Sequence, residues 1–201
     1  MCYKKIPVIF LALALGAIPC PSSAQETDTE QNYRAALETA RAGQPQEALP
    51  TLRALAEQHP DKINYLYDLI TVLSWAGQHQ EAVQRAEKLD LSNAPSYVLD
   101  NLAKSARSSG HYPLAEKLYR TLLGRDAKNW QAYVGLAFTL ADSQRTKESI
   151  ALLNDVQTAF PVTDQDGQQS LKRAQEYVAQ RHIQQTEAQY RAILDRARAG
   201  H

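Results

Sequence analysis

The fold of this chain is decided by residues 73–82, which read Leu73-Ser74-Trp75-Ala76-Gly77-Gln78-His79-Gln80-Glu81-Ala82. The stretch combines an apolar helix end, a glycine turn and a small residue five positions after the glycine. The same pattern occurs one period upstream around Gly43 and one period downstream around Gly110. One further period along the chain, Gln144 stands in the place of the glycine. The spacing of these four positions matches a period of about 34 residues, which is typical of an array of helical repeats.

Each repeat predicts a pair of amphipathic helices. In the first helix of a pair, apolar or small residues recur at the i, i+3, i+4 and i+7 spacing that marks one helical face. The second helix opens on a small residue in every repeat: Ala48, Ala82, Ala115 and Ser149. Two helices joined by a short turn pack antiparallel, and a small residue at this place lets the two axes approach closely.

The periodicity predicts eight helices and no strand, with the helices at residues 31–42, 45–59, 62–76, 79–89, 94–109, 112–123, 129–142 and 146–159. Pro45 and Pro113 fall near the first turns of second helices, where a missing N–H does no harm. Pro50 lies inside a second helix, where we expect it to remove one hydrogen bond and kink the chain.

This pattern resembles that of the tetratricopeptide repeat (TPR) family, which has glycine in the turn, alanine early in the second helix and proline at the end. The resemblance covers residues 31–161 and implies an all-α fold, a right-handed superhelix of about four repeats. The four repeats predicted from it are residues 31–60, 61–91, 92–127 and 128–161. The chain departs from the family pattern at Gln144, at Pro50 and at Ala127, which stands where a closing proline is expected.

The C-terminal segment predicts a cap on the array. Residues 162–167 read as a polar connector, and residues 168–199 contain neither glycine nor proline. The apolar stripe shifts near Arg181, so the segment forms either two helices or one helix whose contact face changes along its length. Because a terminal repeat needs a polar-backed cap, we expect residues 162–201 to supply a connector and a capping helix over the fourth repeat.

The end of the chain, residues 190–201, parallels residues 33–44 in sequence. Residues 190–201 begin Tyr190-Arg191-Ala192, residues 33–44 begin Tyr33-Arg34-Ala35, and both reach Ala-Gly at the same spacing. Two interpretations stay open. The segment is either a capping helix that ends on a C-terminal glycine, with its stripe folded back on the fourth repeat, or the start of further repeats or another domain.

Residues 1–24 read as a secretory signal peptide, with a basic start, an apolar run over residues 6–18 and a small residue, Ala24, at the end. The run is shorter than the roughly 20 residues that span a bilayer. Pro19 makes Cys20 a poor lipidation site. We therefore expect a periplasmic protein that begins with a disordered polar segment at residues 25–30.

Composition narrows the function. Without residues 1–24 the chain has 20 Lys and Arg against 22 Asp and Glu, a net charge of −2, which disfavours nucleic acid and anionic membrane surfaces as partners. Both cysteines precede Ala24, and the five histidines form no metal-ligand spacing. No phosphate loop or nucleophile motif occurs. The sequence predicts a scaffold that is not an enzyme and holds neither cofactor nor metal.

In the TPR family a partner binds the concave face, which the first helices line. Mapped onto this chain, the resemblance gives the following binding candidates: Tyr67, Thr71, Ser74, Trp75, Tyr97, Asp100, Asn101, Lys104, Arg107, Gln131, Phe138 and Asp142. This mixture of aromatic and polar side chains suits a peptide, a partner's loop or a sugar chain. An alternative is that Trp75 and Phe138 simply pack between neighbouring repeats.

Three segments, residues 33–43, 73–78 and 140–142, look like the N-terminal periplasmic repeats of the poly-N-acetylglucosamine export porins of biofilm-forming Gram-negative bacteria. That resemblance implies association with the outer membrane. It implies a polysaccharide deacetylase, an export barrel and poly-N-acetylglucosamine itself as binding partners. The alternative is a general adaptor for envelope assembly that binds a peptide of a partner protein.

Overall fold

The computed structural model describes residues 23–159 and 165–199, so the predicted signal peptide lies outside the described residues except for its last two positions. Within the described ranges the chain is all helical, with nine helices and no strand. The helices are α1 (Ser23–Arg41), α2 (Pro45–Gln58), α3 (Ile63–Trp75), α4 (His79–Ala86), α5 (Ser96–Ser108), α6 (Tyr112–Arg125), α7 (Trp130–Asp142), α8 (Thr146–Ala159) and α9 (Gln165–Ala199). The predicted all-α repeat fold is thus confirmed.

The four turns within the helix pairs share one backbone conformation. Gly43, Gly77 and Gly110 have φ angles of 91°, 73° and 79°, and Gln144 adopts the same left-handed conformation with φ 66°. In each turn, the amide of the next residue donates to a carbonyl five positions back, as Gln78 does to Leu73 over 2.9 Å. This hydrogen bond closes the first helix and requires the residue before the donor to adopt the left-handed conformation. Glycine adopts this conformation without steric cost, which explains its presence in three of the turns.

The small residue predicted at the start of each second helix is buried. Ala48, Ala82 and Ala115 are at most 2% exposed, and Ser149 is fully buried. The Ser149 hydroxyl donates a 2.7 Å hydrogen bond to the carbonyl of Ala137 on the facing helix. A serine is therefore accommodated in this slot because its hydroxyl has a partner.

The core is continuous along the array. One apolar cluster extends from α1 to α7. A second cluster joins α7 and α8 to the first half of α9, through Leu171, Ala174 and Val178. The first half of α9 thus covers the fourth pair as the predicted cap should.

One feature of the N-terminal region differs from the expectation. The first helix begins at Ser23, so residues 25–30 are helical rather than disordered. No glycine or proline interrupts the segment, and Glu30 forms an i,i+4 ion pair with Arg34. In α2, Pro50 is exposed and the helix continues to Gln58, so the proline does not end it, and the kink expected there stays a prediction.

The C-terminal segment also differs. α9 is one helix that begins at Gln165 and includes Gly167, so the connector is shorter than predicted. Of the two alternatives left open near Arg181, a break or one continuous helix, the continuous helix is the one present. Tyr190 and Leu194 do not fold back on the fourth pair, as one of the two interpretations of residues 190–201 required, since they are 63% and 37% exposed. At 1.5 Å per residue, α9 is about 50 Å long, whereas α7 is about 20 Å, so α9 extends past the array. Among the described helices, none is long and apolar enough to cross a membrane.

Candidate binding face

The face formed by the first helix of each pair holds most of the predicted binding residues. Along this face α1, α3, α5 and α7 are neighbours in turn, and the first half of α9 follows α7. Side chains on these helices form two hydrogen-bonded clusters, with an exposed tryptophan between them. The centres of the two clusters lie on α3 and α7, two helix pairs apart along the array.

The first cluster, here called the tyrosine cluster, centres on Asp68 of α3. Its carboxylate accepts hydrogen bonds from the hydroxyl of Tyr33 on α1 and, over 2.7 Å, from that of Tyr97 on α5. The Tyr33 ring packs on Tyr65 with centroids 4.3 Å apart. Burial raises the pKa of both Tyr33 and Tyr97, and the hydrogen bonds to Asp68 raise each pKa further. Both hydroxyls therefore stay protonated and fixed as donors.

Trp75 lies beside this cluster and is held from one side. Its indole Nε1 donates to the side-chain oxygen of Asn101 over 3.0 Å, and Ser74 donates to the Asn101 carbonyl over 2.9 Å. The Asn101 amide in turn donates to the carbonyl of Tyr97. Trp75 and Tyr97 remain 46% and 45% exposed. The result is a pair of positioned aromatic side chains with free surface.

The second cluster, here called the arginine cluster, centres on Asp142 at the end of α7. Its carboxylate accepts hydrogen bonds from Arg107 over 2.7 Å, from Arg181 over 3.0 Å and from the Tyr177 hydroxyl. The Arg107 guanidinium lies 4.7 Å from the centroid of the Phe138 ring. Two cations therefore share one carboxylate, and the cluster carries a net positive charge.

Two opposing effects act on the Asp142 carboxyl. Burial raises its pKa, but the hydrogen bonds from Tyr177, Arg107 and Arg181, with the charge of Arg107, outweigh burial and leave the pKa below its ordinary value. The carboxylate therefore stays ionised at neutral pH. Its charge offsets part of the positive charge of the two guanidiniums and holds them in place.

The structure does not bring all the predicted binding residues to the surface. Tyr67 and Thr71 are 7% and 3% exposed, and the Thr71 hydroxyl donates to the Tyr67 carbonyl within α3. Tyr67 belongs to the core, so neither side chain offers surface to a partner. Asp100 and Lys104 pair with each other over 2.6 Å. Gln131 is exposed at the start of α7.

Four contributors to the clusters were missed by sequence reasoning: Tyr33, Asp68, Tyr177 and Arg181. The sequence spacing could have identified them, because several hydrogen-bonded side chains in these clusters are 35 residues apart, one residue more than the repeat period. Tyr33 and Asp68 are 35 residues apart, as are Arg107 and Asp142, and Asp142 and Tyr177. Polar residues at this interval in a helical array face each other across adjacent first helices.

A cleft of about 450 Å³ adjoins the arginine cluster. It lies between the turn that joins α7 to α8 and the middle of α9, and its lining includes Asp142, Gln144, Thr146, Arg181 and Gln185. The Gln185 amide donates to the Gln144 carbonyl over 2.8 Å and so joins α9 to the turn. Among the described residues, no group of three carboxylate, histidine or cysteine side chains could hold a metal ion.

Comparisons with known proteins agree with this architecture. Residues 39–104 and residues 101–162 each match a family model described as the tetratricopeptide repeat. A search of curated proteins gives no match. Together the two matched segments span the array from the last turn of α1 to the end of α8.

Two solved structures illustrate the likeness in three dimensions. MamA 41-end from Desulfovibrio magneticus RS-1 is 18% identical, with a TM-score of 0.59 over 81% of this chain and 95% of that one. Kinesin light chain TPR-like repeats of Podosopora anserina are 18% identical, with a TM-score of 0.61 over 86% of this chain and 94% of that one. At this identity the likeness shows the fold alone.

Proposed function

The chain belongs to the tetratricopeptide repeat family, and from this premise we propose that it is a non-catalytic scaffold that binds a partner protein along the face of its first helices. Members of the family are in general interaction scaffolds rather than enzymes. The observation that carries the proposal is the exposed pair of Trp75 and Tyr97. Aromatic side chains held by hydrogen bonds lose little entropy on binding, so they make effective anchors.

The two clusters suggest which partner fits. The tyrosine cluster offers a carboxylate and phenol groups, whereas the arginine cluster offers cations with one shared carboxylate. An extended segment of a partner protein would place an apolar or aromatic residue on Trp75 and an acidic residue near Arg181. Carboxylate recognition by a guanidinium would then set the direction of the segment along the face.

A selection experiment tests this role. Short peptides of random sequence are selected on the wild-type protein, and binding is then measured on Trp75→Ala with Tyr97→Ala. Because both rings are exposed, we expect the double variant to keep its circular dichroism and to lose at least tenfold in affinity. The matched control is Lys117→Ala with Arg120→Ala on the exposed side of α6. Equal losses from both pairs would place the site elsewhere.

We also propose that the protein works in the periplasm, on the basis of the signal-peptide pattern of residues 1–24. The absence of cysteine after Cys20 suits an oxidising compartment. Intact-mass measurement of the exported protein should give a chain that begins at Gln25. Retention of residues 1–24, or a diacylglycerol adduct on Cys20, would contradict the proposal.

A second candidate function is a role in biofilm exopolysaccharide export, supported by the resemblance of the repeats to those of export porins. The exposed ring of Trp75, with Asn101 at its edge, suits a sugar ring that stacks and hydrogen-bonds. N-acetylglucosamine oligomers should then bind wild type and fail to bind Trp75→Ala. If only peptides bind, the protein is better described as an adaptor in envelope assembly.

A further inference from the structure

The hydroxyl of Tyr119, on α6, has no hydrogen-bond partner among the described residues. The side chain is 1% exposed, and the same slot holds apolar residues in the other three pairs: Leu52, Ala86 and Leu153. In the same part of the chain every fully buried side-chain oxygen or nitrogen has a partner, so the small exposed part of Tyr119 includes its hydroxyl. Phenylalanine would fill this slot without a polar group to desolvate, so packing alone does not account for the hydroxyl.

The tip of Tyr119 lies between α5 and α7, at the face formed by the first helices. A Cβ added at Gly135 of α7 would be 2.7 Å from the hydroxyl oxygen. Burial is the main cause that raises the pKa of Tyr119; on the α5 side, the charge of Asp100 raises it further and that of Arg107 lowers it. Asp100 and Arg107 lie on the candidate binding face, with side chains 30% and 28% exposed. The hydroxyl is therefore a protonated donor that reaches this face from beneath.

The repeat register places the hydroxyl in a row with polar groups of the preceding helices. Gly135 occupies the position that Asp68 has in α3 and Asn101 in α5, at intervals of 33 and 34 residues along the chain. Asp68 accepts hydrogen bonds from two tyrosine hydroxyls, and Asn101 accepts one from the indole of Trp75. α7 has no side chain at this position, and Tyr119 of the preceding helix places its hydroxyl there instead. Of the three polar groups in this row, the third has no partner within the described residues.

We propose that the Tyr119 hydroxyl is a specificity-determining contact, which donates a hydrogen bond to a main-chain carbonyl of the bound partner segment. This inference rests on the proposed function and adds to it a residue of a second helix. A segment that runs from Trp75 to Arg181 crosses the gap between α5 and α7, and it would remove the hydroxyl from water. A hydroxyl covered in this way costs binding free energy unless it finds an acceptor. Main-chain carbonyls recur at about 3.3 Å per residue in an extended segment, so an acceptor is available whatever the side chains are.

Tyr119→Phe tests the contact, because it removes the hydroxyl and keeps the ring. Short peptides of random sequence are selected on the wild-type protein, and three with unrelated sequences are then measured by fluorescence anisotropy. We expect each of them to bind Tyr119→Phe about fivefold more weakly, which corresponds to the loss of one neutral hydrogen bond. The urea midpoint of this variant should not fall below that of wild type, since no intramolecular hydrogen bond is lost.

The matched control is Tyr112→Phe, which removes a hydroxyl from a half-buried tyrosine in the first turn of α6, about 10 Å along the helix axis from Tyr119. It should change the affinity by less than twofold. A lower urea midpoint for Tyr119→Phe would show that the hydroxyl has a partner within the protein. A loss confined to peptides with one particular polar side chain would replace the main-chain acceptor with that side chain. Either result overturns the proposal.

Two further results separate failure of this contact from failure of the proposed function. If Trp75→Ala with Tyr97→Ala loses tenfold in affinity and Tyr119→Phe loses nothing, the partner binds this face without the hydroxyl, and only the contact with Tyr119 is refuted. If neither variant loses affinity, or if no peptide is selected on the wild-type protein, this face is not the binding site and both proposals fail.

Discussion

The turns of the first three helix pairs and of the fourth pair share one backbone conformation but have different residues at the places that define a repeat. Three turns have glycine in the left-handed conformation, and the fourth has Gln144. Three close-contact slots hold alanine, and the fourth holds Ser149, whose hydroxyl bonds to Ala137. Shared hydrogen bonds and packing therefore set the geometry, and a residue that departs from the pattern adapts to it.

The junction between the third and fourth pairs shows a second kind of adaptation. Tyr119 of α6 is 1% exposed, in a slot where the second pair has Ala86. Across from it α7 has Gly135, and a Cβ there would lie 2.3 Å from Cζ of the Tyr119 ring. The large Tyr119 side chain of α6 thus fits because α7 has no side chain at the facing position, Gly135.

The largest expected loss of stability comes from adding a side chain at Gly135. Gly135→Ala forces the Tyr119 ring to move inside a packed core, so we expect a loss of about 3 kcal/mol in the free energy of unfolding, measured in urea. Gly124→Ala in α6 is the control, because no atom lies within 4 Å of the added methyl group. The control should be neutral or more stable by up to about 1 kcal/mol. Similar losses in the two variants would show that Tyr119 does not fill the space beside Gly135.

The close-contact slot of a regular pair should also tolerate little added volume. Ala82 is fully buried, so Ala82→Leu should overpack α3 against α4 and cost about 2 kcal/mol. An exposed change on the same helix, Gln84→Ala, should stay within about 0.5 kcal/mol. Equal urea midpoints for the two variants would mean that the slot is not rigid.

The arginine cluster predicts a pH dependence of stability that depends on the Asp142 carboxyl. Asp142→Asn should cost about 1.5 kcal/mol at neutral pH, because two charge-assisted hydrogen bonds are weakened. The pKa of Asp142 is lower in the folded protein than its unfolded value of about 3.9, so its contribution is present above about pH 4 and is lost as the pH falls through the folded pKa. The stability gap between wild type and variant should therefore close below about pH 4. A gap that persists at lower pH would contradict an ionic role.

The smallest expected effect is a gain. Gln144→Gly relieves a left-handed conformation that disfavours side chains but increases the entropy of the unfolded chain, so we expect a net stabilisation of about 0.5 kcal/mol. The hydrogen bond from the Gln185 side chain to the Gln144 carbonyl is kept. The reciprocal change Gly77→Gln should destabilise. If Gln144→Gly destabilises as well, the Gln144 side chain must itself stabilise the turn.

Sequence reasoning predicted the array well because the turns and slots depend on neighbours within one pair. The spacing of Gly77 and Ala82 is enough to predict a helix end, a turn and a close helix contact, and it also singles out Gln144 and Ser149. The binding face was less predictable. Tyr67 and Asp68 are adjacent in sequence, yet one is in the core and the other accepts hydrogen bonds from two tyrosines.

The helix pairs, their period and the left-handed turns can be predicted from the residues alone, because each follows from local hydrogen bonding and helical periodicity. The tertiary structure decided which side chains of the first helices meet, since Asp142 reaches Arg107 and Tyr177 only when three neighbouring first helices are stacked. It also decided that α9 is continuous and that Tyr190, Ile193 and Leu194 in its second half are exposed. The exposure of this half follows from the length of α9, because a helix of 35 residues is longer than α7, which has 13 residues and on which it packs.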